Sequence, residues 1–189
     1  MNINCLLCGV GGQGTVLASK LISAAAMKKG LRARSAETIG MAQRGGCVVS
    51  HVRIGDNVYS PLIPKHGADV IIAFEPAEAV RCLPYLKENG AVIVNTKSVI
   101  PITASLGDSI YNGAEMVEYL RNNVKNLVTA DGDELSQKLG SSKVLNVALL
   151  GAAARSGMLG VSDKELEDVI RERIPERFIE LNMQALHII

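Results

Sequence analysis

The sequence predicts an α/β fold: a Rossmann-like three-layer sandwich with a mostly parallel sheet and an antiparallel ribbon insertion. Short apolar runs such as 68–74 (ADVIIAF) alternate with segments of helical periodicity, which is typical of buried parallel strands joined by helices. A glycine-rich turn at 8–14 (CGVGGQG) follows the first apolar run. Aromatic residues make up only 3% of the chain, and tryptophan is absent, so the core must consist of small and aliphatic side chains. The length of 189 residues favours one domain, 1–189.

The first part of the chain is predicted to alternate strand, glycine turn and helix. The helix has apolar residues at helical spacing and stops at Gly30. A hairpin turn at 55–57 (GDN) is expected to lead into a short strand at 58–59, which would form the antiparallel ribbon. The other predicted bounds are a strand at 3–8, a helix at 15–29, a strand at 31–36 and a strand at 47–54.

A βαβ unit is predicted next. Pro76 is well placed as the first residue of its helix, and Gly90 is expected to separate that helix from the following strand. Further on, Ser162 and Glu165 have the spacing of a capping box, and Pro175 is expected to start the last helix. The predicted bounds are a strand at 68–74, a helix at 76–86, a strand at 90–96, a helix at 112–123, a strand at 124–129, and helices at 131–140 and 143–159.

Charge and hydropathy exclude several classes of protein. Twenty basic and 19 acidic residues give a formal net charge of +1, which offers no electrostatic basis for binding nucleic acid or a membrane surface. The first 19 residues carry no charged side chain, but four glycines and a glutamine interrupt them, so they predict neither a signal peptide nor a membrane anchor. We therefore expect a cytoplasmic protein with no membrane partner and no nucleic-acid partner.

The four cysteines predict no metal site. Cys5 and Cys8 form a C-x-x-C pair, but they lie in a strand, where residues three apart point to opposite faces. No second pair completes a zinc or iron–sulfur motif. We expect reduced, structural thiols, and the sequence indicates no partner for Cys47 or Cys82.

The glycine turn has three interpretations. Gly9, Gly11 and Gly14 satisfy G-x-G-x-x-G between a strand and a helix, and Glu37 lies 23 residues beyond Gly14, about where an NAD-binding acid contacts the ribose. The turn could equally serve tight packing against a neighbouring element, or bind another phosphate-bearing ligand. The local pattern leaves these alternatives open.

A second loop is expected beside this turn. The segment 35–55 (SAETIGMAQRGGCVVSHVRIG) places Gln43 and Arg44 ahead of Gly45 and Gly46. Arg44 is suited to a phosphate or carboxylate, although an ordinary solvated loop remains an alternative. One R-G-G tripeptide is not an RNA-binding motif.

Four segments together resemble a known family. GVGGQG, the 35–55 segment, ADVIIAFEPAEAVRCL and GAVIVNT are similar to the gamma-type domain of the 2-oxoacid:ferredoxin oxidoreductases. The resemblance covers essentially the whole chain. Within this family, the chain most resembles the small (beta) subunits of the enzymes that act on indolepyruvate, both in its length as a separate chain and in its FEPAEA segment.

The resemblance implies a subunit that is inactive alone. Its complex would convert a 2-oxoacid, an indolepyruvate or another arylpyruvate, to an acyl-CoA, with CoA as co-substrate and ferredoxin receiving the electrons. Thiamine diphosphate, Mg²⁺ and iron–sulfur clusters would belong to a larger partner subunit, and this chain would bind none of them. The isolated chain could form a homodimer.

The predicted site lies on the two loops and includes no catalytic residue and no metal ligand. It would contact CoA or the partner subunit. Two alternatives are an NAD-dependent oxidoreductase, which lacks a convincing catalytic histidine here, and an interaction module without a ligand. The candidate residues are Gly9, Gly11, Gly12, Gln13, Gly14, Glu37, Gln43, Arg44, Gly45 and Gly46.

Overall fold

The computed structural model describes residues 2–37, 45–100 and 111–189. Within these residues six strands form one sheet in the order β2-β3-β1-β4-β5-β6. The strands β1, β4, β5 and β6 run parallel to one another, whereas β3 runs antiparallel to both β1 and β2. The bounds are β1 Ile3–Val10, β2 Ala33–Glu37, β3 Cys47–Ile54, β4 Ala68–Ala73, β5 Leu86–Asn95 and β6 Asn126–Ala130.

Helices cover both faces of this sheet, as the alternation of elements predicts. None of those in the described ranges is long and apolar enough to cross a membrane. Their bounds are α1 Thr15–Lys28, α2 Pro76–Cys82, α3 Gly113–Asn123, α4 Gly132–Leu139, α5 Leu145–Arg155, α6 Asp163–Arg173 and α7 Ile179–Leu186. Short 3₁₀ turns lie at Leu83–Tyr85, Ser142–Val144 and Glu176–Phe178.

The sheet separates two hydrophobic clusters. Cys5 and Leu7 of β1 face a cluster built from α1, α5, α6 and α7, and Leu6 and Cys8 face a smaller cluster with α2 and α3. All four cysteines are free thiols. The prediction that Cys5 and Cys8 point to opposite faces is confirmed, and the arrangement of layers is the predicted three-layer sandwich.

The predicted hairpin after β3 is wrong. Residues 58–59 form no strand, and β3 itself is the antiparallel element, since it lies between β1 and β2. Both hydrogen-bonding edges of β3 are therefore occupied, and no edge is left to pair with 58–59.

The predicted helix at 76–86 is too long. It ends at Cys82 because Pro84 has no N–H to donate and its ring would clash within a continuing helix. Gly90 does not stop a helix but lies inside β5, which already begins at Leu86. A Cβ at Gly90 would stand 2.6 Å from Leu86 Cδ1 and 3.1 Å from the Ala68 carbonyl oxygen, so β4 and the start of β5 pack closely around this glycine.

Other predicted elements are confirmed with shifted bounds. The strand predicted at 31–36 is Ala33–Glu37, and the strand predicted at 124–129 is Asn126–Ala130. The long helix predicted at 143–159 is a 3₁₀ turn followed by the shorter α5. The predicted capping box of α6 is present, with the Ser162 N–H donating to Glu165 Oε2 at 2.6 Å.

Candidate functional site

The glycine turn between β1 and α1 lies at the carboxyl ends of the parallel strands. Gly12 and Gly14 have φ of 102° and 85°, in the left-handed region that favours glycine. A Cβ on Gly14 would also stand 2.5 Å from Asn146 Nδ2 of α5, and one on Gly9 would stand 2.7 Å from Gln13 Oε1. The turn is therefore glycine-rich partly because other parts of the chain approach it closely.

Gln13 ties this turn to the neighbouring strands. Its Oε1 accepts from the Val10 N–H at 2.7 Å, and its Nε2 donates to the Phe74 carbonyl at 2.9 Å. Asn95 Nδ2 donates to the same carbonyl at 3.0 Å. The ends of β1, β4 and β5 are thus held together by two side-chain amides on one carbonyl oxygen.

The second predicted loop meets the glycine turn. The Gly11 N–H donates to the Gly46 carbonyl at 2.8 Å, and Gly45 has a φ of 80°. The predicted adjacency of the two loops is present for these residues. Gln43 and Arg44 lie outside the described residues.

Glu37 lies away from the turn. Because β3 is inserted between β1 and β2, the carboxyl end of β2 is two strand spacings from β1, roughly 10 Å. In a dinucleotide-binding sheet β2 lies directly beside β1. Here Glu37 Oε1 accepts from Ser19 Oγ of α1 at 2.5 Å. The NAD hypothesis thus loses the ribose contact on which it depended.

A cavity of about 360 Å³ opens beside the glycine turn. It lies next to the boundary between β1 and β4, where the chain changes direction across the sheet and where open α/β sheets commonly bind ligands. The residues that line it include Gly12, Gly14, Asn95, Lys97, Lys143 and Asn146.

A buried acid stands behind the carboxyl end of β4. Glu75 is 0% exposed and caps α2 by accepting from the Glu78 N–H at 3.0 Å. Burial raises the pKa of Glu75, and the hydrogen bond from the Tyr111 hydroxyl opposes that shift. Glu78 is buried as well and pairs with Arg81. Both acids of the FEPAEA segment are therefore occupied by structural contacts.

Three cysteines share the α2 face of the sheet. The Cys8 and Cys82 thiols are hydrogen-bonded to each other, and this contact together with burial raises the pKa of Cys8. Cys47 lies close to Glu78, and burial is the largest cause that raises its pKa, to about 11. Cys8 and Cys47 therefore stay protonated at neutral pH and are poor metal ligands, whereas the hydrogen bond with Cys8 lowers the pKa of Cys82. Within the described residues no group of three or more potential ligands could hold a metal ion.

The residues opposite the glycine turn were missed by sequence reasoning. Asn95 ends a buried strand, and this position could have indicated it, since side chains at the carboxyl ends of parallel strands gather at one edge. Asn146 and Lys143 gave no local signal, because they reach the turn from more than 120 residues further along the chain.

The comparisons with known proteins agree with this fold. The family model described as "Pyruvate ferredoxin/flavodoxin oxidoreductase" matches residues 4–188. Indolepyruvate oxidoreductase subunit IorB of Archaeoglobus fulgidus is 41% identical over 187 residues, which cover 98% of this chain and 92% of that protein. The protein of the same name from Methanothermobacter thermautotrophicus is 37% identical over 186 residues, with 98% and 94% covered.

A solved structure shows the same architecture. The gamma subunit of a keto/oxoacid ferredoxin oxidoreductase from Geobacter sulfurreducens is 26% identical and superposes with a TM-score of 0.70, covering 97% of this chain and 94% of that one. The chain thus belongs to the pyruvate ferredoxin/flavodoxin oxidoreductase family and is a subunit of a 2-oxoacid ferredoxin oxidoreductase.

Proposed function

We propose that this chain is the small subunit, a single gamma-type domain over residues 1–189, of an indolepyruvate or arylpyruvate ferredoxin oxidoreductase. The observation that carries the substrate class is the 41% identity to an indolepyruvate oxidoreductase subunit across almost the full length of both chains. In this proposal the complex is cytoplasmic. It cleaves the bond between the carboxylate and the keto carbon of the 2-oxoacid, releases CO₂, transfers the acyl group to the thiol of CoA and passes the electron pair to ferredoxin.

The bond-making chemistry belongs to the larger partner subunit. We place thiamine diphosphate, Mg²⁺ and the iron–sulfur clusters there. In support, Cys5, Cys8 and Cys82 of this chain are buried within apolar clusters on the two faces of the sheet. Glu75 caps α2, and Glu78 forms an ion pair with Arg81, so both carboxylates make structural contacts. The contribution of this chain is then to bind and orient.

The two adjoining loops are the part of this chain that we assign to that contribution. Gly11 and Gly46 are joined by a backbone hydrogen bond, so the glycine turn and the start of β3 form one continuous edge. Two side-chain amides at the Phe74 carbonyl hold the base of this edge, which makes it a rigid surface for docking. We propose that it contacts the partner subunit or the CoA-bearing end of the partner's active site.

Reconstitution tests the proposed activity. The full chain is co-expressed with its larger subunit, and reduction of ferredoxin is followed with indolepyruvate, phenylpyruvate or pyruvate, each with and without CoA. We expect the fastest reduction with an arylpyruvate, only in the presence of CoA, and none from this chain alone. Equal rates without CoA, or activity of this chain by itself, would contradict the proposal.

Arg44→Ala distinguishes the two contacts proposed for the loop. Loss of one charge-assisted hydrogen bond weakens binding by roughly 1.5 to 3 kcal/mol, or about 10- to 150-fold. If Arg44 contacts CoA, the apparent affinity for CoA falls by that factor. If it contacts the partner, the dissociation constant of the two subunits rises instead. Wild-type values for both quantities would identify Arg44 as an ordinary solvated residue.

A further inference from the structure

A two-part cleft extends from the glycine turn across the amino end of α1. Its first part, the polar arm, is the cavity of about 360 Å³ described above. Its second part, the apolar arm, is a cavity of about 240 Å³. Leu17 and Lys143 line both arms and so stand at their junction.

The polar arm favours an anion. Its lining contains Lys97, Lys143 and the amide side chains of Gln13, Asn95 and Asn146, and no carboxylate from the described residues lines it. Lys97 pairs with an acid outside the lining, whereas Lys143 forms no ion pair with any residue in the described ranges.

The start of α1 adds to the positive potential of this arm. Its cap is Gly14, so no side chain covers the amino end of the helix, and its first turn contains no acidic residue. The unpaired N–H groups and the dipole of a 14-residue helix both favour negative charge at this point. Gly14, the cap residue of α1, lines the polar arm together with Lys143, so the start of the helix adjoins this cavity.

The apolar arm has a different chemistry. Besides Leu17 it is lined by Val144, Ile174, Pro175, Phe178 and Leu181. Leu17 and Phe178 are 39% and 42% exposed, which is high for large apolar side chains that face a recess. The Arg177 guanidinium stacks over the Phe178 ring at 4.7 Å. Among the described residues that line this arm, Lys143 is the one with a charged side chain.

We propose that this cleft binds a small amphipathic anion: a carboxylate or phosphate group in the polar arm beside Lys143, joined to an aromatic or branched aliphatic group in the apolar arm. The volume of each arm suits a small molecule. Because Lys143 lines both the polar arm and the apolar arm, the ligand needs only a short link between its charged group and its apolar group. The proposal rests on described residues of this chain alone, and it does not depend on the proposed catalytic activity.

Calorimetric titration of the full chain tests the ligand class. The probes are 3-phenylpropionate, phenyl phosphate, benzyl alcohol and inorganic phosphate. We expect each of the two ring-bearing anions to bind roughly 10-fold more tightly than either the neutral ring or inorganic phosphate, since only they fill both arms. The tighter of the two anions identifies the natural head group as carboxylate or phosphate. Failure of both to bind at millimolar concentration overturns the proposal.

Two variants place the binding in this cleft. Lys143→Gln is expected to weaken both ring-bearing anions about 5-fold or more and to leave the weak binding of benzyl alcohol unchanged. Phe178→Ala should weaken the ring-bearing anions and benzyl alcohol alike. The matched control is Lys65→Gln, an exposed lysine before β4 at the opposite end of the sheet. Equal weakening by Lys65→Gln, or wild-type affinity in Lys143→Gln, refutes the site, and unchanged melting temperatures show that the variants are folded.

Discussion

Gly14→Ala is expected to destabilise the chain by roughly 2 to 5 kcal/mol, through backbone strain of about 1 to 2 kcal/mol and overpacking of about 1 to 3 kcal/mol. The strain arises because Gly14 has a φ of 85° as the cap of α1. The overpacking arises because the new Cβ would stand 2.5 Å from Asn146 Nδ2, and Asn146 is only 3% exposed. Urea unfolding measures the loss.

Gly12→Ala is the matched control for this experiment. Gly12 has a φ of 102° in the same turn, but a Cβ there would have no neighbour within 4 Å. It should therefore show the strain alone and lose less stability than Gly14→Ala. Adding Asn146→Ala to Gly14→Ala should recover the contact part of the loss, which a double-mutant cycle separates. Equal losses for Gly12→Ala and Gly14→Ala would disprove the close approach of α5 to the turn.

Gly151→Ala is expected to destabilise the chain although helix propensity alone favours alanine by about 1 kcal/mol. The Cβ of the new side chain would lie 1.8 Å from the Leu186 carbonyl oxygen, which is backbone and cannot rotate away. Displacing α7 would also disturb Arg155, whose Nη2 donates to the carbonyls of Leu186 and Ile189 at 2.9 and 2.8 Å. Overpacking typically costs about 1 to 3 kcal/mol, and a clash with backbone that cannot rotate away belongs at or above the upper end of that range, so it exceeds the propensity gain.

Thermal unfolding measures this effect, at roughly 2 to 4 °C for each kcal/mol in a chain of this size. The sign of the change is decisive. A higher melting temperature in Gly151→Ala would mean that propensity outweighs the contact, and that α5 and α7 do not approach as closely as the structure shows.

The sequence predicted those elements whose cause is local. The apolar run at Ile3–Val10, the glycine turn and the periodic helix that follows it were each visible within about a dozen residues. The opposite orientation of Cys5 and Cys8 followed from the strand period alone. The capping box at Ser162 and Glu165 was equally local, since its hydrogen bond spans three residues.

What the sequence did not predict depends on distant partners. An antiparallel ribbon of 47–54 with 58–59 was expected, but β3 lies between β1 and β2 and runs antiparallel to both, which depends on which strands pair. That pairing also decides that Glu37 bonds to Ser19 and lies away from the glycine turn. Lys143 and Asn146 line the cavity because α5 and the 3₁₀ turn before it pack beside the glycine turn. The sequence therefore predicted only the part of the site that lies on the two loops. The predicted end of α2 was an error of a different kind, because Pro84 in the sequence already indicated that the helix ends before it.

The central place of β3 in this half of the sheet also makes the attachment of β2 depend on β3. Within the described residues, β2 hydrogen-bonds to no strand other than β3. It is therefore attached to the rest of the sheet through β3, whose partner residues on β1 lie about 40 to 50 positions earlier in the chain. Closing that long loop carries an entropic cost before any pairing compensates for it. The outermost strand β2 can thus detach without breaking the β1–β3 pairing, whereas separation of β3 from β1 releases β2 and β3 together.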